Sequence, residues 1–143
     1  MMQPDDTIIE RTADLEMDAD QLWELISTAD GWRSWLVDDT DVVVAARAAG
    51  TTTEDGAVRG VRVDSVTDRT RVEFTWWERD DPTSGSFVQL EIVELPEGRS
   101  QLRITEQLVG AGSAPTMSAS MASSWDVRLV SLWLLALHST VMA

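Results

Sequence analysis

The chain contains no cysteine, no lysine and a single histidine, and no apolar run in it is long enough to cross a bilayer. Without cysteine there is no disulfide, no thiolate nucleophile and no thiolate-held metal. The lone histidine, His138, has no second imidazole to share a metal with, and near the end of a helix it serves as a favourable charge. The longest nearly apolar stretch, "LVSLWLLAL" at 129–137, has nine residues, where a membrane span needs about twenty. The opening "MMQPDDTIIE" lacks the basic start and apolar middle of a secretion signal, so a cytoplasmic, bacterial protein is the expectation. No G-x-S-x-G elbow, phosphate loop or dinucleotide fingerprint occurs. "DDTD" at 38–41 has carboxylates but not the glycine of a calcium loop, and reads as a solvated turn. Neither a metal nor a cofactor is expected.

Charge of one sign is also scarce. All 11 basic residues are arginines, set against 25 acids, for a net charge of -14. Such a surface repels phosphate backbones and anionic lipid, which argues against nucleic-acid and membrane partners. Absence of lysine beside arginine fits a GC-rich coding sequence. What remains is an ordinary globular chain: 143 residues, 43% hydrophobic, the size of one domain spanning 1–143.

Periodicity divides that chain. "TIIERTADLEM" reads as a strand over about 7–16. Asp18 and Gln21 make a capping box for a helix over 19–27, with Leu22, Leu25 and Ile26 on one stripe. Thr28 caps a second short helix, in which Trp32, Trp35 and Leu36 share a face. From residue 41 the period becomes that of strands. "DVVVAAR" predicts one, and "GTTTEDGAVRGVRVDSV" predicts two more about an Asp55-Gly56 hairpin turn. "TRVEFTWWER", "SFVQLEIVEL" and "SQLRITEQLV" alternate apolar and polar residues. Turn residues at 67–68, 80–85 and 96–98 separate them. Loops so short make an antiparallel meander.

Alternation also assigns faces. Val72, Phe74 and Trp76 share one, as do Val88, Leu90 and Ile92; Leu102, Ile104 and Leu108 share another. Glu106 continues that last apolar face. A carboxylate there must be paired, hydrogen-bonded or protonated, and an arginine such as Arg62 or water at the mouth would serve. Trp77 points away from Trp76, to the surface or an interface. A small-residue connector, "GAGSAPTMSAS" at 110–120, precedes a long last helix with Trp125, Leu129, Leu132 and Ala136 inward. Val130, Leu134, Leu137 and Val141 form a second stripe about 140° away. A homodimer through that outer stripe is the expectation, unless the N-terminal segment covers it.

In this order the sequence resembles the START-like SRPBCC superfamily, in the branch named for activators of the heat-shock protein 90 ATPase. The resemblance rests on "LWELISTADGWRSWL" (22–36), "RVEFTW" (71–76), "GRSQLRIT" (98–105), and Trp125 with Leu129 and Leu132. Ser124 stands where relatives often have glycine, and the position of Glu106 is often His or Glu. The resemblance implies a helix-grip, α+β fold: six or seven antiparallel strands curved around the last helix, with two short helices after the first strand. It also implies an apolar cavity between sheet and helix.

Phe74, Trp76, Leu90, Leu102, Ile104 and Glu106 would line the sheet side of that cavity. Trp125, Leu129 and Trp133 would line the helix side, and Trp32 and Trp35 the mouth. Aromatics at these periods serve as core before they serve as pocket lining. The expected function is non-catalytic binding of an apolar, aromatic or lipid-like small molecule, neutral or cationic in preference to anionic. The alternatives are a small cyclase- or hydrolase-type enzyme with Glu106 as acid/base, and a cochaperone-like ATPase-activator module.

Overall fold

A computed structural model describes residues 8–108 and 115–142, with side chains described outside 82–84, 115–123 and 138–142. Strand β1 (Ile8–Leu15) leads into helices α1 (Ala19–Ser27) and α2 (Ala29–Trp35). Strands β2 (Asp39–Thr40), β3 (Ala49–Glu54), β4 (Ala57–Thr67), β5 (Arg71–Glu78), β6 (Asp81–Leu95) and β7 (Arg99–Leu108) follow, and α3 (Pro115–Met142) closes the chain. The seven strands form one antiparallel sheet in the order β1-β7-β6-β5-β4-β3-β2. This is the expected meander, with β1 folded back beside β7.

Local chemistry sets the element ends. The Asp18 side chain accepts from the Gln21 amide at 2.8 Å while Gln21 returns a bond to the Asp18 amide at 3.2 Å, completing the capping box. Thr28 Oγ1 accepts from the Gly31 amide at 2.9 Å and starts α2. Asp55 and Gly56 both have positive φ, 51° and 80°, as a two-residue type I′ turn requires.

Three boundaries differ from the reading of the sequence. "DVVVAAR" forms no strand beyond Thr40. The Asp41 side chain takes the Thr51 amide at 2.7 Å, and Ala45 and Ala48 bond back to Val43 and Ala45. These local bonds and a positive φ at Arg47 break the ladder, burying Val42 and leaving Val43 exposed. The turn at 80–85 shrinks to residues 79–80, because β6 already begins at Asp81. The connector at 110–120 is helical from Pro115 on, where proline suits a first helical position. His138 and Val141 lie outside the described side chains.

One face of the curved sheet packs against α1, α2 and α3. Its core comprises Val61 and Val63 from β4, Val72, Phe74 and Trp76 from β5, Val88, Leu90 and Ile92 from β6, and Leu102 and Ile104 from β7. The opposite face is mostly polar, with Trp77, Phe87 and Val93 as its apolar members. A Cβ at Gly60 would come within 2.5 Å of the Trp77 ring, so glycine leaves that indole its place across the strand pair.

Candidate functional site

The two tryptophans of α2 are fastened by their polar edges. Trp32 Nε1 donates to the Ile26 carbonyl at 2.8 Å, and Trp35 Nε1 to the Leu25 carbonyl at 2.9 Å. Carbonyls at a helix C-terminus have no partner within the helix, so the indoles satisfy the end of α1. Gly31 allows the crossing; a Cβ there would sit 2.4 Å from the Glu24 carbonyl oxygen. From this anchor an aromatic chain runs through the interior. Trp32 meets Phe74 at 4.8 Å between ring centroids, Phe74 meets Trp76 at 5.2 Å, and Trp76 and Trp35 meet Trp125 at 6.3 and 6.4 Å.

Glu106 sits at the centre of this chain, 3% exposed. Its Oε2 accepts from Trp76 Nε1 at 2.7 Å and from Ser86 Oγ in a short contact, and its Oε1 accepts from Trp125 Nε1 at 2.8 Å. The sheet register brings these groups together, with Ser86 opposite Trp76 on β5 and Glu106 two pairs further along on β7, opposite Val88. The expected arginine partner is not Arg62, which pairs with Asp64 on the other face. Neutral donors from β5, β6 and α3 compensate the carboxylate instead. Ser86 was absent from the sequence-based set. Its inward parity on β6 was the available signal.

A second polar cluster closes the mouth. Arg128, 3% exposed, gives both Nε and Nη2 to the Glu54 carboxylate, with Nε–Oε2 at 3.0 Å. Its guanidinium carbon lies 4.5 Å from the Trp125 ring centre and 5.1 Å from that of Trp76. Arg59, projecting inward from β4, covers Trp76 at 4.5 Å. Periodicity alone could not find Arg128. Spacings 125, 129, 132, 136 and 125, 128, 132, 136 are equally helical, and hydrophobicity favours Leu129. In the structure Arg128 is buried, while Leu129 is half-buried at the margin of the core. Trp133, expected to line the interior, is 48% exposed, because one face of a single helix cannot hold both it and Leu132. It borders an outer groove of about 320 Å³ with Thr12, Ala13, Leu129 and Val130.

Among the described residues, Trp32, Phe74, Leu90, Leu102 and Trp125 have 0% of their surface open to water. A groove of about 190 Å³ lies above Trp35, between α2, the β3–β4 hairpin and α3, with Arg128 and Glu54 in its wall. Among the described residues, no cluster of three or more His, Asp or Glu could hold a metal ion. No helix of the described residues is long and apolar enough to cross a membrane.

No protein-family model matches the chain, and no curated protein matches it in sequence. Solved structures do match. The solution structure of an Aha1 dimer from Colwellia psychrerythraea superposes with a TM-score of 0.75 at 16% identity, over 90% of this chain and 95% of that one. The protein MLL2253 from Mesorhizobium loti gives 0.76 at 19%, over 90% and 95%. This chain has the START-like helix-grip fold. DynU16, from the dynemicin biosynthetic locus, shares it with a TM-score of 0.75 at 16% identity, over 88% of this chain but only 45% of its own. In this chain β5 and β7 meet α3 through Trp76 and Glu106 against Trp125, and α2 and the β3–β4 hairpin flank the mouth.

Proposed function

We propose that this helix-grip protein binds an apolar, aromatic or lipid-like small molecule without transforming it, taking it in at the mouth between α2, the β3–β4 hairpin and α3. The supporting observation is the pairing of an open groove with a polar cluster immediately beneath it. Packing alone does not call for Glu106, Ser86 and Arg128 buried among tryptophans. Each charge withdrawn from water is costly, and apolar side chains of similar volume would serve stability as well. The ligand would displace the closed packing, and Trp32, Trp35, Phe74, Trp76, Leu90, Leu102, Ile104, Glu106, Trp125 and Leu129 would be its surroundings. The acid/base alternative has less support, since in the closed form both Glu106 oxygens already accept from protein donors. A neighbour of this fold from a biosynthetic locus fits a small-molecule role.

The test is titration with the neutral fluorophore N-phenyl-1-naphthylamine and with a panel of apolar aromatics. Saturable probe emission, tryptophan quenching and a raised melting temperature are expected. A flat response across the panel removes the binding reading, and turnover that is lost in Glu106→Gln would replace it with the enzymatic one.

We also infer that a second copy covers the outer face of α3. Val130 and Leu134 of that stripe are 58% and 54% exposed there, with Trp133 beside them at 48%, a concentration of apolar surface that marks interaction sites. A neighbour of the same fold was solved as a dimer.

A further inference from the structure

Glu54 is the one carboxylate in the described structure that two inward-facing arginines share. Strand parity puts it there. Thr52 and Glu54 on β3 face the same way, and Arg59 opposite Thr52 on β4 faces with them, toward the interior rather than to solvent. Arg128 reaches down from α3 and holds both carboxylate oxygens, while Arg59 Nη1 stands 3.7 Å from Oε1. That separation is too long for a hydrogen bond, and Arg59 Nη1 is buried without any hydrogen-bond partner. The arrangement is a preorganised anion fork. The Arg128 guanidinium is already buried against Trp76 and Trp125, so closing on an anion costs it little further water, while Arg59 lies over Trp76 with its Nη1 buried and its side chain 30% exposed. Its occupant is a side chain one residue from a tight turn, a quarter exposed and able to swing out to water.

Resting on the small-molecule reading above, we propose that the mouth recognises an aromatic acid whose carboxylate takes the place of Glu54 on Arg128 and Arg59. The groove supplies the rest of the match. Trp35 and Val127 give it an apolar side facing Arg33, Ser34 and Ser131, and its volume of about 190 Å³ suits a small ring system. This reverses the preference for neutral or cationic ligands drawn from the sequence. That preference rests on Glu106 and on the net charge of -14, whereas Glu106 is occupied by neutral donors and the buried charge at the mouth is that of Arg128. Asp38 and Asp55 on the rim oppose an incoming anion, and Arg33 and Arg128 in the same groove attract it. Glu54 acts as a built-in competitor that keeps the mouth closed until an acid arrives.

The experiment compares naphthoate with its neutral alcohol, naphthalenemethanol, by isothermal titration calorimetry on the wild type, Glu54→Ala and Arg128→Met, each checked for a cooperative melting curve. Removing Glu54 is expected to tighten naphthoate about tenfold or more while the alcohol changes by less than about twofold. Arg128→Met is expected to abolish the preference for the acid. If Arg128→Met does not fold, Arg59→Gln is the second variant and should weaken naphthoate at least about threefold in the Glu54→Ala background. Unchanged naphthoate binding in Glu54→Ala, or equal gains for acid and alcohol, overturns the proposal. Alcohol binding without acid preference would sink the anion fork and leave small-molecule binding intact. Failure of both ligands on every variant overturns the fork as well, and the neutral-probe titration then decides the broader reading separately.

Discussion

Trp125 donates its indole N–H to Glu106 at 2.8 Å, so the helix that closes the fold is hydrogen-bonded to strand β7 of its sheet. Losing the whole indole removes this bond and two ring contacts from a fully buried site. Trp125→Ala is expected to cost about 3–5 kcal/mol, as large aromatic truncations in cores do. Urea melts of purified protein measure it; an unchanged midpoint would remove Trp125 from the core.

Changing the acceptor is a separate matter. Glu106→Gln keeps the shape but turns one oxygen into a donor facing an indole N–H or the Ser86 hydroxyl. Leaving a buried donor unpaired costs about 1–3 kcal/mol. The loss should shrink when Ser86→Ala is combined with it, because the two changes touch one network. A double-mutant cycle that proves additive would contradict a shared cluster.

Trp32→Phe and Trp35→Phe test the fastening of α2 to α1. Each keeps most of the apolar volume and frees one α1 carbonyl, of Ile26 or Leu25. A loss of about 1–3 kcal/mol is expected for Trp32, which is fully buried, and less for Trp35, whose edge reaches the groove. Equal losses would place both on the same footing.

Gly31→Ala probes the crossing itself. The new methyl meets the α1 backbone, which cannot rotate away as a side chain could. Destabilisation of about 1–3 kcal/mol is the expected result of such overpacking, and thermal melts will show it unless the helices separate freely.

For the outer helix face, Val130→Asp should convert a dimer to a monomer with its melting curve little changed, since Val130 is exposed in the single chain. Sedimentation velocity at high micromolar concentration decides this. A monomeric wild type ends the dimer proposal.

The sequence by itself determined whatever depends on neighbours along the chain. Alternation marked β4 to β7, Asp18 with Gln21 marked the start of α1, Thr28 marked α2, and Asp55-Gly56 marked the hairpin, because each signal acts within a few residues. The run at 42–44 misled, since β-branched residues favour strands only where a ladder accepts them, and the Asp41 side chain took the Thr51 amide instead. Only the tertiary structure decided the site. Glu54 and Arg128 lie 74 residues apart, and Ser86 and Glu106 lie 20 apart. Their meeting depends on sheet register and on which of two equally spaced stripes α3 turns inward. Packing chose the stripe with the arginine, because aromatic faces and a carboxylate from β3 were there to receive it. A helix read alone, with hydrophobicity as its guide, points the leucine inward.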